Sequence, residues 1–320
     1  MKMVDVDMKK YLLTALVIIS LVWLTGCSKD NVVENNDAIT TDQAALEMIA
    51  DSDEDIASFM PNYNEDDAMS FALGKVSTEI YPVKVGQKMS LINRTLDLVI
   101  EEDTAYGTLK KTFEGFLVIA ASYDPVVQGD TSAVDTIIRK PFTTTITRKI
   151  TFVRKGKSSR PVENWRIAAI SLPEGGTLTE NLVIEKLTMF LPDGDTLEIT
   201  SPNDYYLYKG VGAKRQIPSF TRGEDALLRL EVISSYANTE FVTVTYGADK
   251  RGMNRMKSKF NLVSSEEADG KYFKVYELVT KAHNGLGHFH AVVNVLSNQS
   301  LFDDGAPVEE CTWGIPYIVK

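Results

Sequence analysis

Apolar and polar residues alternate at every second position through most of the chain after Gly74. Such a pattern confines the fold to antiparallel sheets with one buried face, because successive side chains of a strand point to opposite sides. Leu96, Leu98 and Ile100 alternate with Asp97 and Glu101, Glu102-Asp103 offers a turn, and Ala105, Gly107, Leu109 and Phe113 resume the alternation. Phe116 to Ala121 reads as an apolar strand and Asp124 to Lys140 as a polar loop. A further strand is expected with Phe142, Ile146, Ile150 and Phe152 on one face. A basic loop from Arg154 to Arg160 then leads into Trp165 to Ser171, and Gly175-Gly176 breaks the chain.

Ahead of these strands the spacing is helical. Ala45, Met48, Ile49, Ile56, Phe59 and Met60 recur at three- and four-residue steps until Pro61, and Ser52 with Asp55 forms a capping-box pattern that divides the stretch. A third helix is expected from Asn64 to just before Gly74. Helices followed by long curved antiparallel strands predict an α+β domain over residues 41–175. Its order of elements, with "TAYGTLKKTFEGFLVIAA" and "RKITFVRK…NWRIAAIS" as paired strands, resembles the cone-like fold of the nuclear transport factor and ketosteroid isomerase superfamily. A plain β-sandwich is the alternative. The resemblance implies an apolar pocket in the cone, where enzymes of the superfamily use a buried Asp or His with Tyr. Residues 41–175 contain no histidine, and Tyr106, Tyr123, Asp97 and Asp103 are residue types common enough for core or surface roles.

Residues 176–203 are expected to connect two domains, with Pro192-Asp193-Gly194-Asp195 as a hairpin turn between Leu182 to Leu191 and Thr196 to Thr200. From 204 to 320 every segment reads as strand. Ala226, Leu228, Leu230 and Val232 share a face, as do Val242, Val244 and Tyr246, then Phe273, Val275 and Val279, then Phe289, Ala291, Val293 and Val295. Short alternating strands between Gly, Asn and Asp turns predict an all-β immunoglobulin-like sandwich without the Cys…Trp…Cys hallmark. The ending "SLFDDGAPVEECTWGIPYIVK" resembles the last strands of C-terminal domains in bacterial lipoproteins.

The first residues carry a different signal. Lys9 and Lys10 precede an apolar run from Tyr11 to Leu24, and Leu24-Thr25-Gly26-Cys27 follows. The charged, apolar, small-residue order is that of a secretory signal, and the run is too short to span a bilayer comfortably. The four residues resemble the bacterial lipobox, which implies a signal peptide over 1–27, lipid attachment at Cys27 and acyl chains as the partner of a membrane. A single acyl chain holds only marginally, so stable anchoring takes more than one. Ser28, in place of the Asp that retains such proteins at the inner membrane, implies the outer membrane. Residues 28–40 are acidic and aperiodic and are expected to be a flexible tether.

The formal charge of −10 lies almost wholly between Ser28 and Asp67, leaving residues 68–320 neutral and without a basic face for nucleic acid. Cys27 and Cys311 are the only cysteines, so acylation of the first excludes an intramolecular disulfide. All three histidines fall together, His283, His288 and His290, and the last two share a strand face that Asp303, Asp304, Glu309 or Glu310 could complete as a metal site. Two histidines fall short of the usual ligand set. Asp51-Ser52-Asp53-Glu54-Asp55 imitates a calcium loop, but Ile56 stands where Gly belongs and Asn62 where Glu belongs. No nucleophile elbow, phosphate loop or His-Glu-x-x-His occurs. These readings assign no catalytic residue, no metal and no cofactor, and point to an envelope protein that acts by binding a protein or glycan partner or as a structural component of an envelope assembly. The competing expectation is a ligand carrier or enzyme using the cone pocket.

Overall fold

The computed structural model describes residues 41–53, 56, 70–71, 80–125, 133–191, 194–209, 217–248 and 255–320. Cys27, the tether over 28–40 and most of the second and third expected helices lie outside the described residues.

Helix α1, Asp42–Ser52, begins where the Thr41 side chain accepts the Ala44 N–H at 3.2 Å, and it buries Ala45, Leu46 and Ala50. Its end is organised by Asp53, whose Oδ1 accepts the Ile56 N–H at 3.1 Å, while the Ser52 hydroxyl donates to the Ile49 carbonyl. Strand β1, Ser70–Phe71, stands inside the stretch expected to be a third helix and pairs antiparallel with β2, Tyr81–Glu101. Two long strands follow, β3 (Thr104–Ser122) and β4 (Thr136–Arg154), with the Glu102-Asp103 turn between β2 and β3. The loop expected up to Lys140 ends earlier, because Lys140 is buried in β4. A single turn, α2 (Pro161–Asn164), leads into β5 (Trp165–Ser171) and β6 (Glu174–Gly176).

Strands β7 (Leu182–Phe190), β8 (Thr196–Ile199) and β9 (Tyr206–Tyr208) come next, then β10 (Ser219–Phe220), β11 (Asp225–Ser234) and β12 (Phe241–Ala248). The remaining elements are β13 (Met256–Lys259), β14 (Asn261–Ala268), β15 (Lys271–Lys281), β16 (Gly287–Leu296), helix α3 (Asn298–Phe302) and β17 (Glu310–Val319). Among the described residues one sheet runs β1-β2-β3-β4-β6-β17-β16-β12-β13, with β5 linking β4 to β9 and β10 beside β17. A second runs β14-β15-β11-β7-β8. The stretch expected to connect domains, residues 176–203, therefore supplies the last residue of β6 to the first sheet and β7 and β8 to the second.

The expected α+β class, a cone-like domain followed by an immunoglobulin-like sandwich, is corrected by this topology. The described residues are mostly β, with three short helices, and among them no cone of helices and curved sheet is present. The reason lies in what covers the inner face of β2–β4. Helix α1 packs over the turn end, against Ala105, Leu109, Ile150, Phe152 and Trp165. The other end is covered by the C-terminal half of the chain, where Leu117, Ile119 and Phe142 meet Phe241, Leu296, Leu301 and Phe302. Lys140 fastens this cover by donating to the carbonyls of Ser300 at 2.9 Å and Asp303 at 2.7 Å.

The largest core separates the two sheets and makes them a β-sandwich. Leu187, Leu230 and Val232 of the second sheet face Val242, Val293, Val295 and Trp313 of the first. Each fully buried side chain of this kind contributes about 1.5–3 kcal/mol. On β15 the buried residues are Lys274, Tyr276 and Leu278, whereas Phe273 and Val279, expected inside, are exposed.

Gly175-Gly176, expected as a break, is instead the seam of the first sheet. β6 pairs with β4 on one side and β17 on the other. A Cβ on Gly175 would meet the Thr145 carbonyl oxygen at 1.9 Å, and one on Gly176, at φ +141°, the Glu310 carbonyl oxygen at 2.1 Å. Only glycine fits so close an approach.

Candidate functional site

The face of β3–β5 opposite α1 carries a row set by cross-strand register. Tyr106 pairs with Thr151, Thr151 with Ala169, and Ala169 with Tyr208, so the four share one side of the sheet. Three strand spacings of about 4.8 Å place the backbones of Tyr106 and Tyr208 roughly 14 Å apart. Both rings are open to solvent, at 49 % and 54 % exposure, while Ala169 between them is buried. Two residues along β9, Tyr206 lies on the same face beside Lys149 of β4.

The charges on this face are paired. Lys149 Nζ donates to Asp204 Oδ1 at 2.7 Å, which raises the lysine and lowers the aspartate from their ordinary values; Ser201 also donates to Asp204, at 2.8 Å. Burial raises the Tyr206 hydroxyl, Lys149 opposes the shift, and Asp204, Tyr208 and Tyr106 add to it, so these groups converge. Beside them Asn203 Nδ2 donates to Glu174 Oε1 at 2.6 Å, and burial raises the Glu174 carboxyl. The result is a surface that presents three tyrosines together with hydrogen-bond donors and acceptors.

The residues singled out in the sequence do not assemble into a reaction centre. His288 and His290 lie on β16 opposite Phe289 and Ala291, as the alternation predicts, and His283 lies in the turn before it. Their suggested partners are engaged elsewhere. Glu309 accepts from Tyr236, from Asn181 at 2.6 Å and from Thr179 at 2.9 Å, and Glu310 accepts from Gln87 and from Asn294 at 2.9 Å. Asp303 Oδ1 caps the Gly305 N–H at 2.9 Å. Among the described residues no three His, Cys, Asp or Glu side chains are grouped to hold a metal.

The calcium-like run is likewise dispersed into ion pairs, Asp51 with Arg94 and Asp53 with Lys209. Asp97 pairs with Lys110 at 3.7 Å and Asp103 with Arg154 at 3.4 Å, so neither forms an acid–base pair with Tyr106 or the exposed Tyr123. Cys27 lies outside the described residues.

Tyr206 and Tyr208 were not singled out by sequence reasoning. The signal available was their two-residue spacing beside Leu207, but their meeting with Tyr106 depends on pairings a hundred residues apart in the chain. Compared with protein-family models and with curated proteins, the sequence matches none.

Proposed function

We propose that the chain is a lipid-anchored cell-envelope protein that acts by binding, and that the tyrosine face takes an envelope glycan. The observation that carries the reading is the row Tyr106–Thr151–Ala169–Tyr208 with Tyr206 and Lys149 beside it. A tyrosine offers a rigid apolar ring and a polar tip at little conformational cost. Sugar rings present flat C–H faces rimmed by hydroxyls, which match exposed rings flanked by Thr151, Lys149 and Asp204.

The anchor is supported by the order of Lys9, Lys10, the apolar run and Leu24-Thr25-Gly26-Cys27. Acyl chains on Cys27 supply the membrane contact, and Ser28 favours the outer membrane. No helix of the described residues is long and apolar enough to cross a membrane.

Cosedimentation of the protein with peptidoglycan sacculi and with purified surface polysaccharides tests the binding role. Saturable binding to one of them is expected, weakened roughly tenfold or more in Tyr106→Ala/Tyr208→Ala with thermal unfolding unchanged. Absence of binding to every envelope glycan, or equal binding by the variant, overturns the glycan reading. Separately, Cys27→Ala is expected to abolish labelling by a radioactive fatty acid; persistent labelling refutes the anchor.

A further inference from the structure

A cavity of about 60 Å³ lies between the two sheets, at the end of the sandwich where β15 turns into β16. Its walls are apolar, with Leu187 and Leu228 from one sheet and Val244, Val293 and Ile315 from the other. Tyr246, Lys281, Ala282 and His283 line both this cavity and an open vestibule of about 570 Å³, so the two adjoin at His283. Scaled from the void of about 150 Å³ that accepts benzene, the inner cavity holds roughly two or three carbon atoms.

His283 defines what must follow those carbons. Its Nδ1 accepts the Gly285 N–H at 3.2 Å, so the proton of the neutral ring sits on Nε2. That Nε2 is buried without a hydrogen-bond partner. Burial lowers the pKa of the ring and favours the neutral form, and edge contacts with Phe289 and Tyr317, at centroid distances of 4.0 and 5.8 Å, hold it in place. The hydroxyls on the same wall are engaged. Thr280 donates to Tyr246 at 3.2 Å, and Tyr317 accepts the Gly247 N–H at 2.9 Å. Lys281 stands exposed at the junction, its ammonium 3.8 Å from Asp225.

We propose that this cavity binds a short-chain monocarboxylate, whose tail of about three carbons fills the apolar void while its carboxylate accepts the His283 Nε2–H and lies beside Lys281. The site is independent of the tyrosine face and of the lipid anchor. It asks three things of a ligand: an apolar tip short enough for the void, an acceptor immediately behind it, and negative charge. Each requirement can be removed in turn by the choice of probe.

Methyl NMR of the whole folded chain, with Met189 on the cavity wall as reporter, tests this by titration with acetate, butyrate, octanoate and n-butylammonium. Butyrate is expected to give a saturable shift in the millimolar range, acetate and octanoate weaker binding, and n-butylammonium none. His283→Phe keeps an aromatic ring but removes the donor, and should weaken butyrate binding roughly tenfold or more. If that variant does not fold, the exposed Lys281→Ala serves, with an expected loss of several-fold. Absence of saturation with butyrate, affinity that rises steadily to octanoate, equal binding of n-butylammonium, or butyrate binding unchanged in a folded variant each overturns the proposal.

Discussion

Lys274 and Glu240 form an ion pair with no solvent exposure on either side chain, the ammonium standing 2.8 Å from both carboxylate oxygens. Lys274 also donates to the carbonyls of Tyr236 at 2.7 Å and Asn238 at 2.5 Å, and the Tyr276 hydroxyl donates to Glu240 at 2.5 Å. Burial and the Glu240 charge together push the Tyr276 hydroxyl strongly upward. Such a pair contributes little net stability against an apolar replacement, yet losing one partner strands a charge. Lys274→Met or Glu240→Leu alone should therefore cost about 3–5 kcal/mol. Lys274→Met with Glu240→Leu should cost less than the sum of the two single losses. Denaturant unfolding of the four proteins in a double-mutant cycle measures the coupling, and strict additivity would contradict the network.

The seam at β6 makes a second prediction. Gly175→Ala places a methyl group where the Thr145 carbonyl oxygen already lies at 1.9 Å, so the strand must leave β4. A loss of stability of several kcal/mol or failure to fold is expected. Gly194→Ala is the control, since its Cβ meets nothing within 4 Å, although its φ of +88° adds backbone strain of about 1 kcal/mol. Comparable melting temperatures for the two variants would show that the seam is not tightly packed.

Lys111 lies on the inner face of β3, between Arg94 of β2 and Ile146 of β4. Burial first, then the charges of Arg94 and Arg148, lower its pKa to about 8. In the unfolded chain it titrates near 10.5. Below pH 8 both states are protonated and the destabilisation is constant. Between pH 8 and 10.5 the unfolded chain holds more protons, so this residue makes stability rise with pH. Lys111→Met should be more stable than the natural protein at pH 7, and the gap should narrow from pH 8 to 10. A gap that does not change over that range refutes the assignment.

Cys311 is a free thiol on β17, and burial raises its pKa to about 11. The thiolate is the reactive form, so a disulfide reagent at pH 8 should react with it far more slowly in the native protein than after unfolding. Equal rates in both states, followed by absorbance, would place the thiol at the surface.

The strands from β2 to β5 were readable because alternation and local turns are properties of neighbouring residues. Phe142, Ile146, Ile150 and Phe152 are buried together, and Glu102-Asp103 turns the hairpin, as their spacing implies. On β15 the same rule placed Phe273 inside and Lys274 outside. The reverse holds because Glu240, on a distant segment, neutralises the lysine. Glycines read as a chain break since they weaken an ordinary strand; nothing near Gly175 announces that two other strands will close on it. The cone expectation failed for a related reason. Which half of the chain covers the inner face of β2–β4 is decided by Phe241, Leu296, Leu301 and Phe302, far along the chain. The tyrosine face has the same origin in cross-strand register, which no local pattern encodes.

The seam also imposes an order of events on a nascent chain. Thr177, just after β6, bonds the Glu310 carbonyl across 133 residues, so β6 has no second neighbour until β17 has been made. Until then the outer edge of β6 waits with unpaired backbone groups, an invitation to mispairing. Closing so long a loop is slow. The three residues Glu174–Gly176 thus act as the last stitch of the sheet, and the interval before it is drawn is when this protein most needs a chaperone.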